Sequence, residues 1–359
     1  MKIAVLGGGN GAQSMAADLT LRGFEVNLYE LPNFKKNIEP ILAKGGIQLI
    51  GAARIGFAKV SKVTTQIQDA IEDADVIMLV VPAYGHLSFF QVIAPHLTDG
   101  QTVVINPGNY GALRFSNMLK EMRITRDVTI AETLSLIYAC RLAGPAKADI
   151  LAVKKEVPIA ALPAKETERV VRLLSKVFPQ MTPAKNVLET SLNNPNHVLH
   201  TAPSLLNAGR IESTAGNFSY YGEGITPSVA RVLEIVDKER VSVIKALGLN
   251  AISCSELFEM FYGITGNSLY EVVQNSKVLF TRSRAPPTLQ YRYITEDVPY
   301  GLVPIASFGD LLGCPTTAIN TIIELASLVN QVDYFSEGVT AEKLGLAELS
   351  AEDINKRIA

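Results

Sequence analysis

The alternation of apolar and polar positions divides this chain into two halves. Lys2–Leu6 is a short apolar run that leads straight into a glycine cluster. From Asn10 to Leu21 small and apolar residues recur at helical spacing (Ala12, Met15, Ala16, Leu19), and Gly23 stops the helix. Glu25–Tyr29 reads as a second strand with Glu30 at its end, and residues 34–44 read as helical. Ile47–Val63, rich in β-formers and glycine, reads as a strand or hairpin excursion before a helix at Thr65–Ile71. Two more apolar strands follow, Asp75–Val81 leading into Pro82 and Thr102–Ile105 leading into Asn106-Pro107-Gly108, with a helical pattern at 86–96 between them. Val128–Ala131 and Ile150–Ala161 are expected to extend the same sheet. Continuous apolar strands alternating with helices predict a doubly wound, mainly parallel sheet covered on both faces.

Beyond about residue 163 helical patterns dominate, at 165–177, 187–193, 196–209, 227–247, 254–262, 304–312, 316–331 and 351–358. Ser350, with Asp353 three residues on, is the expected cap of the last. Residues 276–300, rich in Arg, Pro and Tyr, break the rhythm and predict a loop or short strands; loops of that length are usually functional or mobile. The expected domains are therefore an α/β unit over 1–165 and an all-α C-terminal unit over 166–359, with the active site between them.

Composition narrows the class. At 359 residues the chain is long enough for two domains. It is 48% apolar and 19% charged with a formal net charge of -2, so neither a nucleic-acid nor a membrane-surface binder is expected. No segment approaches the roughly 18 uninterrupted apolar residues of a membrane span. Cys140, Cys254 and Cys314 are far apart and without zinc-type spacing, which reads as reduced thiols in a cytoplasmic protein.

The glycine cluster carries the first chemistry. Gly7-Gly8-Gly9-Asn10-Gly11-Ala12 fits GxGxxA, a variant of the dinucleotide fingerprint. Gly7 permits the tight strand-to-helix turn, Gly9 lets backbone approach the pyrophosphate, and Ala12 lets the helix pack close to the strand. The helix opening at Asn10 directs unsatisfied N–H groups at phosphate. A strand before it, a helix after it and an acid 18 residues beyond Ala12 make this a Rossmann dinucleotide-binding domain. A carboxylate at Glu30 accepts from a ribose 2′-OH and repels a 2′-phosphate, which favours NAD over NADP; Lys35 and Lys36 are the counter-argument that keeps NADP possible. Pro82, Asn106 and Gly108, at the carboxyl ends of sheet strands, are expected near the nicotinamide.

Two polar patches stand out in the helical half. Asn194-Pro195 is a good helix start, and His197 and His200 then lie three apart on one face. The pair lacks third and fourth ligands at recognisable spacing, so no metal is expected. Imidazole carries protons near neutral pH, so either histidine suits general acid/base work, and spacing alone weighs that role evenly against a structural one. The stretch Gln290–Gly301 holds Arg292, Glu296, Asp297 and three tyrosines. An arginine fork suits a substrate carboxylate and an acid here suits orienting a histidine, although from the residues alone a solvated loop is the leading reading.

The stretches VLGGGNGA, DVIMLVVPA, VINPGNYG, AET at 131–133, SLNNPNHVLHTAPSLLNAGRIE at 191–212, YYGEGITPSVA at 220–230 and RYITEDVPYGLVP at 292–304 together resemble the opine dehydrogenase family, over most of the chain. The resemblance implies an NAD(P)H-dependent enzyme that reductively condenses the α-amino group of an amino acid with a 2-oxo acid through an imine. It places the family's catalytic histidine on His200 and its partner acid on Asp297. His197 falls where relatives need not have a histidine; with Arg292 and Asn196 it is expected among the substrate contacts. A homodimer is expected from family and composition. The alternatives are a ketopantoate reductase or glycerol-phosphate dehydrogenase type of enzyme, which generally uses a lysine in the second domain, and a non-catalytic NAD-binding sensor.

Overall fold

The computed structural model describes residues 1–276 and 284–359, and these form two compact units, Met1–Thr190 and Ser191–Ala359. Part of the irregular stretch at 276–300, residues 277–283, lies outside the described residues.

The first unit is built on an eight-stranded sheet. Its strands are β1 (Lys2–Leu6), β2 (Glu25–Tyr29), β5 (Lys62–Thr64), β6 (Val76–Leu79), β7 (Thr102–Ile105), β8 (Thr129–Thr133), β11 (Val157–Leu162) and β12 (Met181–Pro183). The order is β12-β11-β8-β7-β6-β1-β2-β5, parallel throughout except where β11 runs against β8. The strands β1, β2, β6 and β7 are buried on both faces apart from the first residues of β1 and β2, which explains their unbroken apolar runs.

A second sheet is the main difference from expectation. It contains β3 (Ile47–Gly51), β4 (Gly56–Ala58), β9 (Tyr138–Gly144) and β10 (Lys147–Val153), in the order β4-β3-β10-β9. The expected strand Ile150–Ala161 is therefore divided: its first residues belong to β10 in the second sheet, and residues from Val157 on form β11 in the first. The helix Asn10–Leu21 lies against both sheets, sharing one core with Ile3, Val5 and Met78 and with Leu49, Cys140 and Ile150. Accordingly Ala12 through Leu19 are all buried, polar Gln13, Ser14 and Asp18 included, rather than a single apolar stripe.

The domain boundary also moves. Met181–Thr182–Pro183 pairs parallel with β11, so the helix Thr167–Leu174 is the crossover of a β-α-β unit and residues up to 190 pack with the first unit. The helix Gly111–Glu121, to which the sequence pattern assigned no element, follows Tyr110 at φ 63°.

The second unit is helical. Its longest helices are Asn196–Leu206, Pro227–Ala246, Val303–Leu312 and Thr317–Asn330. Arg240, fully buried on Pro227–Ala246, is tied to Asp237 and to the carbonyls of Leu192 and Ile252, which fixes the chain just ahead of Asn196–Leu206. Thr226, Ser253 and Ser350 cap their helices, the last as expected. No helix among the described residues is long and apolar enough to cross a membrane.

Candidate active site

The cofactor-facing edge of the first unit is made by the carboxyl ends of its parallel strands. Gly7 follows β1 at φ +115°, and a Cβ there would stand 2.6 Å from the Val80 carbonyl oxygen; only glycine fits that turn. At Gly9 a Cβ would meet nothing within 4 Å, so the backbone here borders space that no protein atom fills. That is the cradle a pyrophosphate requires, at the start of the helix Asn10–Leu21, and the fingerprint residues fit a dinucleotide. Gly11 is closed in differently, by the side chains of Leu136 and Val80. Asn10 turns its side-chain oxygen to the N–H of Leu142 at 2.9 Å, and Ala12 is buried against the sheet.

Glu30, at the end of β2, is almost fully buried. Its Oε1 accepts from the Leu31 N–H at 2.9 Å and its Oε2 from the Asn37 amide at 2.9 Å. Burial raises its carboxyl above the ordinary range, against the opposing pull of the Asn37, Leu31 and Gly8 donors. Asn37, which no sequence motif marks, thus braces the acid opposite the glycine turn. Pro82 follows β6 and opens a short turn, and Lys35 pairs with Glu39 at 3.9 Å.

Asn106 and Gly108 follow β7. Asn106 is fully buried and neither its Oδ1 nor its Nδ2 has a hydrogen-bond partner among the described residues. Gly108 lies on Glu132 of β8: a Cβ would come within 2.4 Å of the carboxyl carbon. Glu132 is itself buried, accepting from the Ala112 N–H and the Thr190 hydroxyl, each at 2.9 Å.

In the second unit the residues drawn from both polar patches meet. Pro195 has helical angles and its carbonyl accepts from Leu199, while Asn194 Oδ1 accepts from the Asn196 N–H, so the helix starts at this dipeptide with the proline at its N-cap, one position ahead of the first helical residue. Periodicity then puts His197 and His200 on one face, and both reach the same carboxylate. His200 Nδ1 stands 2.8 Å from Asp297 Oδ2, and His197 Nδ1 stands 3.2 Å from Asp297 Oδ1. Asp297 is buried, which alone would raise its carboxyl; the charge and hydrogen bonds of His200 and His197 outweigh this and hold it well below the usual carboxylate range. An ionised carboxylate only accepts, so both imidazoles carry their proton on Nδ1. That leaves the Nε2 lone pair of His200 facing the Tyr221 hydroxyl at 3.0 Å.

Tyr293 stacks on His200 with ring centroids 3.9 Å apart, and Tyr220 abuts both Tyr293 and Tyr221. The stretch around Asp297 is ordered as the short helix Arg292–Thr295 and a π-turn at Val298–Leu302, where a loop or strands were expected. Arg292 Nε lies 3.0 Å from Glu296 Oε2, with a third of the arginine side chain still exposed; Glu296 holds the guanidinium firmly in its charged form. Asn196 is half-buried, one turn ahead of His200. Tyr221 and Tyr293 received no role from sequence, although both lie in the motif stretches quoted above. Among the described residues no cluster of metal-ligating side chains exists.

The chain is similar to known proteins over nearly all of its length. Residues 183–330 match the family model described as the alpha-helical domain of NAD/NADP octopine/nopaline dehydrogenase, and residues 2–109 match one described as NADP oxidoreductase, coenzyme F420-dependent. The chain is 39% identical to an opine dehydrogenase of Arthrobacter sp. (strain 1C), covering 99% of this chain and 98% of that one. An octopine dehydrogenase solved with NADH and agmatine superposes with a TM-score of 0.76 at 20% identity, over 99% of this chain and 97% of that one. A yersinopine dehydrogenase with NADP+ bound does so with a TM-score of 0.72 at 16% identity, over 99% and 97%.

An oxidoreductase working with NAD or NADP is the class these matches and the glycine-lined sheet edge define. The chain belongs to the opine dehydrogenase family, whose reaction is the NAD(P)H-dependent reductive condensation of an amino acid with a 2-oxo acid. The alternatives of a ketopantoate reductase type and of a non-catalytic sensor are thereby set aside.

Proposed function

We propose that His200 is the acid/base of this condensation and that Asp297 holds it in the reactive tautomer. The observation that carries this reading is the 2.8 Å contact from His200 Nδ1 to Asp297 Oδ2, which leaves the ring's other nitrogen, Nε2, beside the Tyr221 hydroxyl, for proton exchange. An amine and a 2-oxo acid lose water to give an imine, and in the reverse direction a water must add to it. His200 Nε2 delivers the proton in one direction and removes it in the other, and Asp297 stabilises the charged imidazole between. Reduced nicotinamide, when bound, supplies the hydride. The Gly7–Ala12 turn and helix start hold its pyrophosphate, with Pro82, Asn106 and Gly108 bordering the nicotinamide and Glu30 favouring NAD.

Arg292 is assigned to a substrate carboxylate, since Glu296 keeps it charged while a third of its side chain stays open. Asn196, on the turn preceding His200, is assigned to orienting the same substrate. The relatives solved as octopine dehydrogenase hold L-arginine in one structure and pyruvate in another, so arginine-like amino acids with pyruvate are the first pair to try.

The test is NADH oxidation across a panel of amino acids and 2-oxo acids, with the secondary-amine product detected directly. His200→Ala should lose about 10²- to 10⁴-fold in turnover while binding NADH as the parent does. Normal turnover in that variant would refute the assignment, and the absence of any amino-acid-dependent oxidation would refute the substrate class.

A further inference from the structure

The carboxylate that holds His200 is shared with a second imidazole, and the sharing has chemical consequences. His197 is fully buried, and its Nε2 has no hydrogen-bond partner among the described residues. It therefore cannot pass a proton onward, and its polar chemistry is spent on Asp297 through Nδ1 at 3.2 Å. The π-turn that follows Asp297 clamps the ring. At Gly301 a Cβ would fall 2.1 Å from His197 Nδ1, so the ring lies against bare backbone, while the Leu302 N–H bonds back to the Asp297 carbonyl. One helical turn thus presents two N–H donors to the two oxygens of a single carboxylate whose supporting turn is shaped around the second ring.

We infer that His197 is a positioning residue: it fixes the plane of the Asp297 carboxylate and draws off part of its charge, setting how strongly that carboxylate favours protonated His200. This rests on the reading of His200 as the acid/base, and it assigns His197 a role through Asp297 in place of the expected substrate contact. A hydrogen bond donated to a carboxylate lowers its basicity, so a carboxylate relieved of its second donor holds a proton on His200 more tightly. Titratable groups around the pair include Tyr220 and Tyr221 on the segment Tyr220–Gly224, and Arg292, Tyr293 and Glu296 beside Asp297. On the packed helix Pro227–Ala246, buried Asp237 and Arg240 engage one another and Cys254.

The experiment compares pH profiles of kcat/KM for the parent, His197→Leu and His197→Asn, with amine formation and amine oxidation followed separately. Leucine removes the donor at similar volume, whereas the asparagine amide nitrogen stands close to where Nδ1 was. The leucine variant should move the histidine-controlled limb to higher pH by about half to one unit in both directions, and asparagine should restore it to about the parental position. A leucine variant with the parental limb, or an asparagine variant displaced equally, would overturn the inference. A second measurement needs no variant: in the ¹⁵N-histidine-labelled enzyme, neutral His197 should carry its proton on Nδ1, and an Nε2–H tautomer would overturn the inference. Because this readout is independent of turnover, it stands apart from the test of His200 as acid/base.

Discussion

Tyr293 lies flat against His200, the two rings 3.9 Å apart at their centroids with planes 12° from parallel. Asp297 and the Tyr221 hydroxyl hold the two nitrogens of the imidazole, but contacts in the ring plane leave it free to tilt about the line joining them; the phenol face removes that freedom. Stacks of this kind contribute about 0.5–1.5 kcal/mol, and their larger effect here is on orientation. Tyr293→Phe should keep parental kcat, because the face is retained. Tyr293→Leu should lower kcat about tenfold with little change in NADH affinity. Steady-state kinetics with a cofactor titration checks both, and equal behaviour of the two variants would remove the stack from the mechanism.

Tyr221 addresses the opposite edge of the ring. Towards the neutral ring, protonated on Nδ1, its hydroxyl donates to His200 Nε2 and stabilises that neutral form. Tyr221→Phe should therefore raise the histidine-controlled limb of the pH–rate profile by up to about one unit, while kcat at the optimum stays within about threefold. A loss of 100-fold or more would instead mean that the proton travels through the Tyr221 hydroxyl, about the scale expected of a group in the transfer path.

These two tyrosines also mark the limit of what the linear pattern discloses. β1, β2 and β7 are legible to the residue, because each is a short buried run with a glycine within two residues of one end. The second sheet is not: β3 pairs with β10 through partners such as Gln48 and Lys147, about a hundred positions apart, and bulges in β10 break its alternation. The helix Asn10–Leu21 looks one-sided in sequence because Gln13, Ser14 and Asp18 are polar, yet all three are buried between layers that local patterning cannot foresee. In the site, helical periodicity places His197 beside His200. Nothing in the spacing joins them to Asp297, some hundred residues on, and family resemblance made that link. Tyr293 and Tyr221 belong to quoted motifs, but an aromatic face or a hydroxyl acquires meaning only once the ring it touches is known.

Glu30 is expected to bear on the choice between the two cofactors. Its carboxylate ends β2 opposite the glycine turn, with Asn37 bracing Oε2 at 2.9 Å. Glu30→Gln keeps the shape and removes the charge that opposes a 2′-phosphate. The ratio of kcat/KM for NADH over that for NADPH should fall about tenfold, equivalent to about 1.4 kcal/mol. Parallel kinetics with both cofactors decides it, and an unchanged ratio would relieve Glu30 of any part in selection.

Acid stability should depend on a histidine outside the site. His86 is fully buried, set against Phe90 and the backbone of Gly111, and burial, with a smaller push from Arg114, pulls its pKa down to about 3. In the unfolded chain the same imidazole titrates near its ordinary value of about 6.5. Between these two values the unfolded state binds a proton that the folded state refuses. The stability associated with neutral His86 is thus complete above about pH 6.5 and declines as the pH falls towards 3, at about 1.4 kcal/mol per pH unit. His86→Leu has no proton to take up, so its unfolding free energy, measured by denaturant titration from pH 7 to 4.5, should fall less steeply than the parent's. The difference in slope should approach one proton at the acid end. Parallel curves for the two proteins would place the acid sensitivity elsewhere in the chain.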